Sequence, residues 1–195
     1  MKPFEPDEWA DLQRRIPIAC VDVLPFRWDH RPRPARLDIG LIERWYPESG
    51  WPNARRVWCV LGGRQQMDET IPESIRSQIS KTLGVAPAGA VPEEPLTVVE
   101  YLPEPRRAGD PDDPRRHAIG LLFAVELPRE IPRPLPTGGD AIDFRWFERG
   151  DLPAKTEIGF GLSETLHRCV ERLRARGAVD VRGEVRAENG PEGRA

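Results

Sequence analysis

The side chains able to do chemistry in this chain of 195 residues are dominated by one type. Of 29 basic residues only Lys2, Lys81 and Lys155 are lysine, which leaves 26 arginines. Arginine binds phosphate and carboxylate through two parallel N–H donors, although an Arg-, Pro- and Gly-rich composition is also commonly a genome-wide habit. Asp22 stands inside the apolar run IPIACVDVLPF (16–26). A carboxylate buried there is costly unless it is paired or serves a reaction, and both readings stay open. Cys20, Cys59 and Cys169 are an odd number at no metal-like spacing, and read as free thiols. His30 falls in a charged loop and His167 on a helix, where solvation and ordinary packing account for them. The segment 62–85, GGRQQMDETIPESIRSQISKTLGV, joins a glycine pair to a helix and is the most informative stretch.

The elements that must position these groups alternate between short strands and capped helices. Residues 6–15 (PDEWADLQRR) read as a helix with Trp9 and Leu12 on one face. The run 16–26 reads as a strand, 27–36 as an exposed loop, 37–45 (LDIGLIERW) as the returning strand and 46–56 as a second loop. VWCVLGGR (57–64) reads as a buried strand entering a glycine turn. Thr70 and Glu73 have capping-box spacing, with Pro72 in the first turn. Ile71, Ile75, Ile79 and Leu83 then form one apolar stripe, which Gly84 ends. LTVVEYL (96–102), HAIGLLFAVEL (117–127) and AIDFRWF (141–147) read as strands. A closing helix is predicted over 163–177, with Leu166, Cys169, Val170 and Leu173 on its buried face. From about 180 onward few apolar anchors remain, so residues 179–195 read as a disordered tail after one domain of residues 1–178.

Composition excludes several classes. With 22 Pro and 17 Gly, the chain breaks regular structure too often for a helical bundle. The net charge of −3 with interspersed signs argues against binding nucleic acid through phosphates. No apolar run approaches the roughly 20 residues that span a bilayer, and the acidic start is unlike a signal peptide. The expectation is a cytoplasmic, reduced protein that engages neither membrane nor nucleic acid.

The segment 62–85 resembles the Nudix box, G-x5-E-x7-R-E-U-x-E-E-x-G-U, with U a bulky aliphatic. Gly63 and Glu69 match its opening, and Ile79, Gly84 and Val85 its end. Its R-E pair falls on Ser77 and Gln78, and its E-E pair on Lys81 and Thr82. Those glutamates hold Mg²⁺ or Mn²⁺ against a diphosphate, because hard cations take oxygen ligands. The resemblance implies an α+β fold, a Nudix-type α/β/α sandwich around a mixed sheet, without the standard hydrolytic chemistry.

From the first helix to Trp146 the chain resembles the GDP-mannose mannosyl hydrolase branch of that family, which acts at the anomeric carbon. DEWADLQRRIPIACVD, LIER, VWCVLGGR, MDET and DFRW carry the likeness. It implies catalytic roles for Asp22 and Arg44, and substrate contacts from Arg44, Arg64 and His117. Read from the residues themselves, Trp28, Trp45, Tyr46 and Trp51 crowd two loops near the expected cleft, where they suit stacking on a nucleobase or packing in a dimer equally. Where that branch keeps a metal-binding glutamate, a glutamine ligand and a general-base histidine, this chain has Thr82, Asp140 and Ala141. A divalent cation (Mg or Mn) would then fall to Gly62, Asp140 and Glu100. Without a base at 141 the sugar's own hydroxyls become the nucleophiles, and the chain resembles flavin-independent GDP-hexose pyranose/furanose mutases. A glycosyl hydrolase releasing GDP and free sugar, and an inactive nucleotide- or protein-binding module, are the alternatives. The resemblance also implies a homodimer and no flavin.

Overall fold

A computed structural model describes residues 5–31, 35–47, 53–136 and 140–187. The elements are α1 (Pro6–Arg15), β1 (Ile18–Asp29), β2 (Arg36–Tyr46), β3 (Arg55–Cys59), β4 (Leu61–Arg64), α2 (Ile71–Leu83), β5 (Thr97–Tyr101), β6 (Ala118–Glu126), β7 (Asp143–Glu148) and α3 (Ser163–Ala187). Two single 3₁₀ turns, Arg149–Asp151 and Lys155–Glu157, join β7 to α3.

The strands form one mixed sheet in the order β3-β2-β1-β6-β5, with β4 paired to β1 and β7 to β2. Among the strand pairs of the described residues only β1 and β6 run parallel. β1 is the organising strand: along one edge it pairs with β6, and along the other it pairs first with β4 (residues 20–23) and then with β2 (residues 26–29). Pro25 falls where those two partners exchange, so its missing N–H interrupts neither ladder.

Residues 27–29, expected in a loop, extend β1 instead. Arg27 pairs across the hairpin with Asp38, donating from Nε and Nη2 to Oδ2 at 2.9 and 2.7 Å. Asp38 is almost wholly buried, and Arg36 lies 3.0 Å from its other oxygen. Two arginines thereby neutralise a buried carboxylate in a stretch whose polarity reads as loop. The run 57–64 is likewise two strands, because β3 pairs with β2 and β4 with β1.

α2 follows its local signals. The Thr70 side chain accepts from the Glu73 N–H while Glu73 accepts from the Thr70 N–H at 2.8 Å, and Gly84 ends the helix at φ 70°. Ile75, Ile79 and Leu83 are fully buried, each contributing roughly 1.5–3 kcal/mol of transfer free energy, while Ile71 stays partly exposed. In α3 the stripe Leu166, Cys169, Val170 and Leu173 is buried as predicted. The helix itself continues past 177 to Ala187, so residues 179–187 of the expected tail are helical, and 188–195 lie outside the described residues. Among the described residues no helix is long and apolar enough to cross a membrane.

Candidate functional site

A cleft of about 160 Å³ opens where β1, β4, β5 and the start of β6 meet the segment before α3. Its walls carry four arginines (Arg44, Arg64, Arg115, Arg116) and three aspartates (Asp22, Asp113, Asp140). Asp22 projects from β1 between neighbouring strands that have no side chain to obstruct it. A Cβ built on Gly62 would lie 2.3 Å from Asp22 Oδ1, and one on Gly120 would lie 2.3 Å from Oδ2. Both glycines lie inside strands, so the glycine turn expected at 62–63 is strand β4, and what they provide is close approach to a carboxylate.

Asp22 is 8% exposed and accepts a hydrogen bond from the Tyr101 hydroxyl at 2.9 Å. Burial pushes its carboxyl up to about 6; the Tyr101 donation and the charge of Arg44 oppose that rise, and Asp113 adds to it. A carboxyl poised there exchanges protons near neutral pH, as acid–base catalysis requires. Burial pushes the neighbouring Cys20 and Cys59 thiols to about 12, so both stay protonated and act as apolar lining.

Arg44 enters from β2. Its side chain is 12% exposed, it forms an ion pair with Asp140, and its buried Nε has no hydrogen-bond partner among the described residues. Arg64 ends β4 with its guanidinium 4.1 Å from the Trp9 ring centroid, which brings α1 against the cleft. Asp113, 5% exposed, holds Arg115 through Nε at 2.7 Å and Nη2 at 2.8 Å, and Arg116 Nε lies 3.4 Å from its second oxygen. Phe160 closes the cleft with its backbone at φ 59°. A bulky aromatic residue rarely adopts that left-handed conformation, which costs on the order of 1–3 kcal/mol.

The structure therefore brings together Asp22, Arg44, Gly62, Arg64 and Asp140. It does not bring Trp45, Glu100 or His117 with them. Trp45 follows Arg44 on the same strand and faces the other way, 37% exposed beneath the Arg56 guanidinium. Glu100 is exposed on the face opposite Tyr101 and pairs with His117 at 3.0 Å. Trp28 stacks on His30 instead of on a cleft, Tyr46 packs edge-on against Phe160 at 4.6 Å, and Trp51 lies outside the described residues.

The metal set implied by the box does not fit these side chains. Glu73 is committed to capping Thr70, Lys81 is exposed, and Thr82 is buried. Gln78, standing for a glutamate, lies beside Gly63 as a neutral amide, and Glu69 accepts from the Ser74 hydroxyl at 2.8 Å. Asp140 is engaged by Arg44, and Glu100 is on the wrong face. Among the described residues no three His, Cys, Asp or Glu side chains are placed to hold a metal ion.

Sequence reasoning missed Tyr101, Asp113, Arg115, Arg116 and Phe160. For Tyr101 a signal existed, since strand alternation in TVVEY sets Val99 and Tyr101 inward and Glu100 outward. For the others, which lie in connecting segments, none did.

Solved structures share this architecture. A possible asymmetric diadenosine tetraphosphate hydrolase from Jonesia denitrificans superposes with a TM-score of 0.60 at 22% identity, covering 78% of this chain and 91% of that one. The NUDIX domain of Shewanella oneidensis NrtR, in a cocrystal with ADP ribose, gives 0.56 at 17%, covering 87% and 94%. A NUDIX hydrolase from Nitrosomonas europaea gives 0.56 at 12%, covering 82% and 90%. At these identities the likeness establishes the fold, which is the Nudix-type arrangement of a mixed sheet with flanking helices. No curated protein matches the chain. From α1, which places Trp9 against Arg64, to the buried stripe of α3, residues 2–175 match the family described as Domain of unknown function (DUF4916), and the chain belongs to that family.

Proposed function

We propose that the chain is an enzyme acting on a nucleoside-diphosphate sugar at the anomeric carbon, with a GDP-hexose as substrate and pyranose/furanose isomerisation as the reaction. One observation carries the reading: a buried carboxyl, Asp22, stands in a cleft lined by arginines where the box glutamates are missing. Arginine forks neutralise a diphosphate as it departs from C1, the point at which charge develops. Heterolysis of the C1–O bond leaves its electron pair on the departing GDP. The sugar's C4 hydroxyl then attacks C1 and passes its proton to Asp22. Asp22 returns that proton to the ring oxygen as the C1–ring-oxygen bond opens, and GDP recaptures C1. Ala141, where a water-activating base would stand, supports the sugar hydroxyl over water as nucleophile.

Proton NMR of the purified protein with GDP-hexoses tests this. A new anomeric signal from a furanosyl nucleotide is the expected result. Free hexose with GDP would replace isomerisation by hydrolysis, and binding of GDP without any turnover would replace both by a nucleotide-binding module.

A further inference from the structure

Two arginines from distant parts of the chain share one ring. The Arg44 guanidinium, from β2, lies 5.5 Å from the Phe160 ring centroid, and that of Arg115, from the 103–117 connection, lies 5.7 Å from it. Such distances place both cations within reach of the ring's quadrupole. Two like charges against one ring repel each other, so an arrangement that holds them there must be enforced by its surroundings.

The enforcement is visible on each side. The Asp112 N–H donates to the Phe160 carbonyl at 3.1 Å and the Asp113 N–H to the Leu102 carbonyl at 3.0 Å, which fastens the connection between β5 and the segment before α3. Gly161, at φ 60°, is pressed so closely on that connection that a Cβ would come within 2.2 Å of the Asp110 carbonyl oxygen. Phe160 is held between them in its strained backbone conformation, and strain retained in a cleft points to function. Asp113 and Asp140 orient the two guanidiniums without cancelling the cleft's positive balance, since four arginines face three aspartates.

We propose that Arg44 and Arg115, held against Phe160, form a two-arginine receptor for a diphosphate, which this chain binds without a divalent cation. The inference rests on the nucleoside-diphosphate reading above and deepens it. It adds Arg115 as a substrate-binding residue and Phe160 as the positioning residue that sets the spacing of the two forks. It also accounts for the fate of the box: with arginines supplying the positive charge, α2 can carry Gln78, Lys81 and Thr82 where the box has its glutamates.

Calorimetric titration of the full chain with GDP, GMP and inorganic pyrophosphate, first in EDTA and then in excess Mg²⁺, tests the receptor. GDP and pyrophosphate should bind in EDTA, with Mg²⁺ changing their affinity by no more than about threefold. Each charge-assisted hydrogen bond lost should weaken a diphosphate by about 10- to 100-fold, so Arg115→Gln should weaken GDP and pyrophosphate to that extent and GMP less. Phe160→Ala should reduce the preference for GDP over GMP, and Arg174→Gln, on the exposed face of α3, should change nothing. Binding that appears only with Mg²⁺ overturns the receptor and leaves the nucleotide reading standing; this comparison uses the unaltered protein and needs no variant to fold. An Arg115→Gln protein with an intact melting transition and unchanged GDP affinity overturns it equally. Pyrophosphate binding without GDP binding supports the receptor and removes the GDP-sugar reading. Absence of binding by all three ligands in both conditions removes both.

Discussion

Asp22→Asn should make this protein more stable above neutral pH while abolishing its chemistry. The carboxyl of Asp22 is raised from 3.8 to about 6 by burial. In the interval between those values the unfolded chain has released the proton and the folded chain still holds it. Folding stability therefore falls as pH rises through this window and stays lowered above it. A shift of this size corresponds to about 3 kcal/mol, of which about 2 kcal/mol is lost between about pH 4.5 and pH 7.5. Asparagine is nearly isosteric, its carbonyl oxygen still accepts from Tyr101, and it never ionises. Its amide has a smaller desolvation cost of its own, so the net gain at about pH 7.5 should be about 2 kcal/mol. For a domain of this size that is a rise of roughly 4–8 °C in Tm. Urea unfolding of both proteins at the two pH values measures it, because the difference between variant and parent should widen in favour of the variant as pH rises. Equal differences at both pH values, or a variant less stable than its parent at the higher one, would refute the assignment of a destabilising buried carboxylate. Turnover should be lost in the same variant, the expected exchange of stability for function at such a site.

Other consequences follow from the same geometry. Gly120→Ala sets a methyl 2.3 Å from Asp22 Oδ2 and 2.9 Å from the Tyr101 ring, and should cost about 1–3 kcal/mol in urea unfolding; most of that cost should vanish in an Asp22→Ala background, which a double-mutant cycle reads directly. Tyr101→Phe removes the hydroxyl that favours the ionised carboxylate, so the Asp22 titration followed by carboxyl ¹³C NMR should move further up, by about one to two pH units. Thr70→Ala breaks the cap of α2 and should cost about 1 kcal/mol by chemical denaturation without altering nucleotide binding. Asp38→Ala leaves the largely buried Arg27 without its carboxylate, while Arg36 keeps Asp29 and Glu148, and should cost about 3 kcal/mol, read as a large fall in urea midpoint.

What was legible in the sequence was local. The α2 cap and its glycine stop are signals spanning three or four residues, and the structure reproduces them because backbone donors at a helix end need partners close by. The stripe of α3 was readable from spacing, whereas its end was not, since its later residues lack the apolar period that marks a buried face. Residues 27–29 misled in the other direction. Their polarity reads as loop, and only the carboxylate of Asp38 across the hairpin makes them a strand.

The same division runs through the site. Asp22 announced itself as a charge in an apolar strand, and the Gly62–Gly63 pair and Arg44 stood out through the box and its neighbours. Glu100 drew attention as a carboxylate, yet the two-residue period of β5 turns it outward and delivers Tyr101 to Asp22 instead. By itself the sequence determined which groups are costly to bury and where helices begin. Tertiary structure alone decided which of 26 arginines matter: Arg44 and Arg115 meet at Phe160 from three separate segments. Such a meeting is fixed by sheet pairing and loop closure across the whole chain, and no spacing within any one segment encodes it.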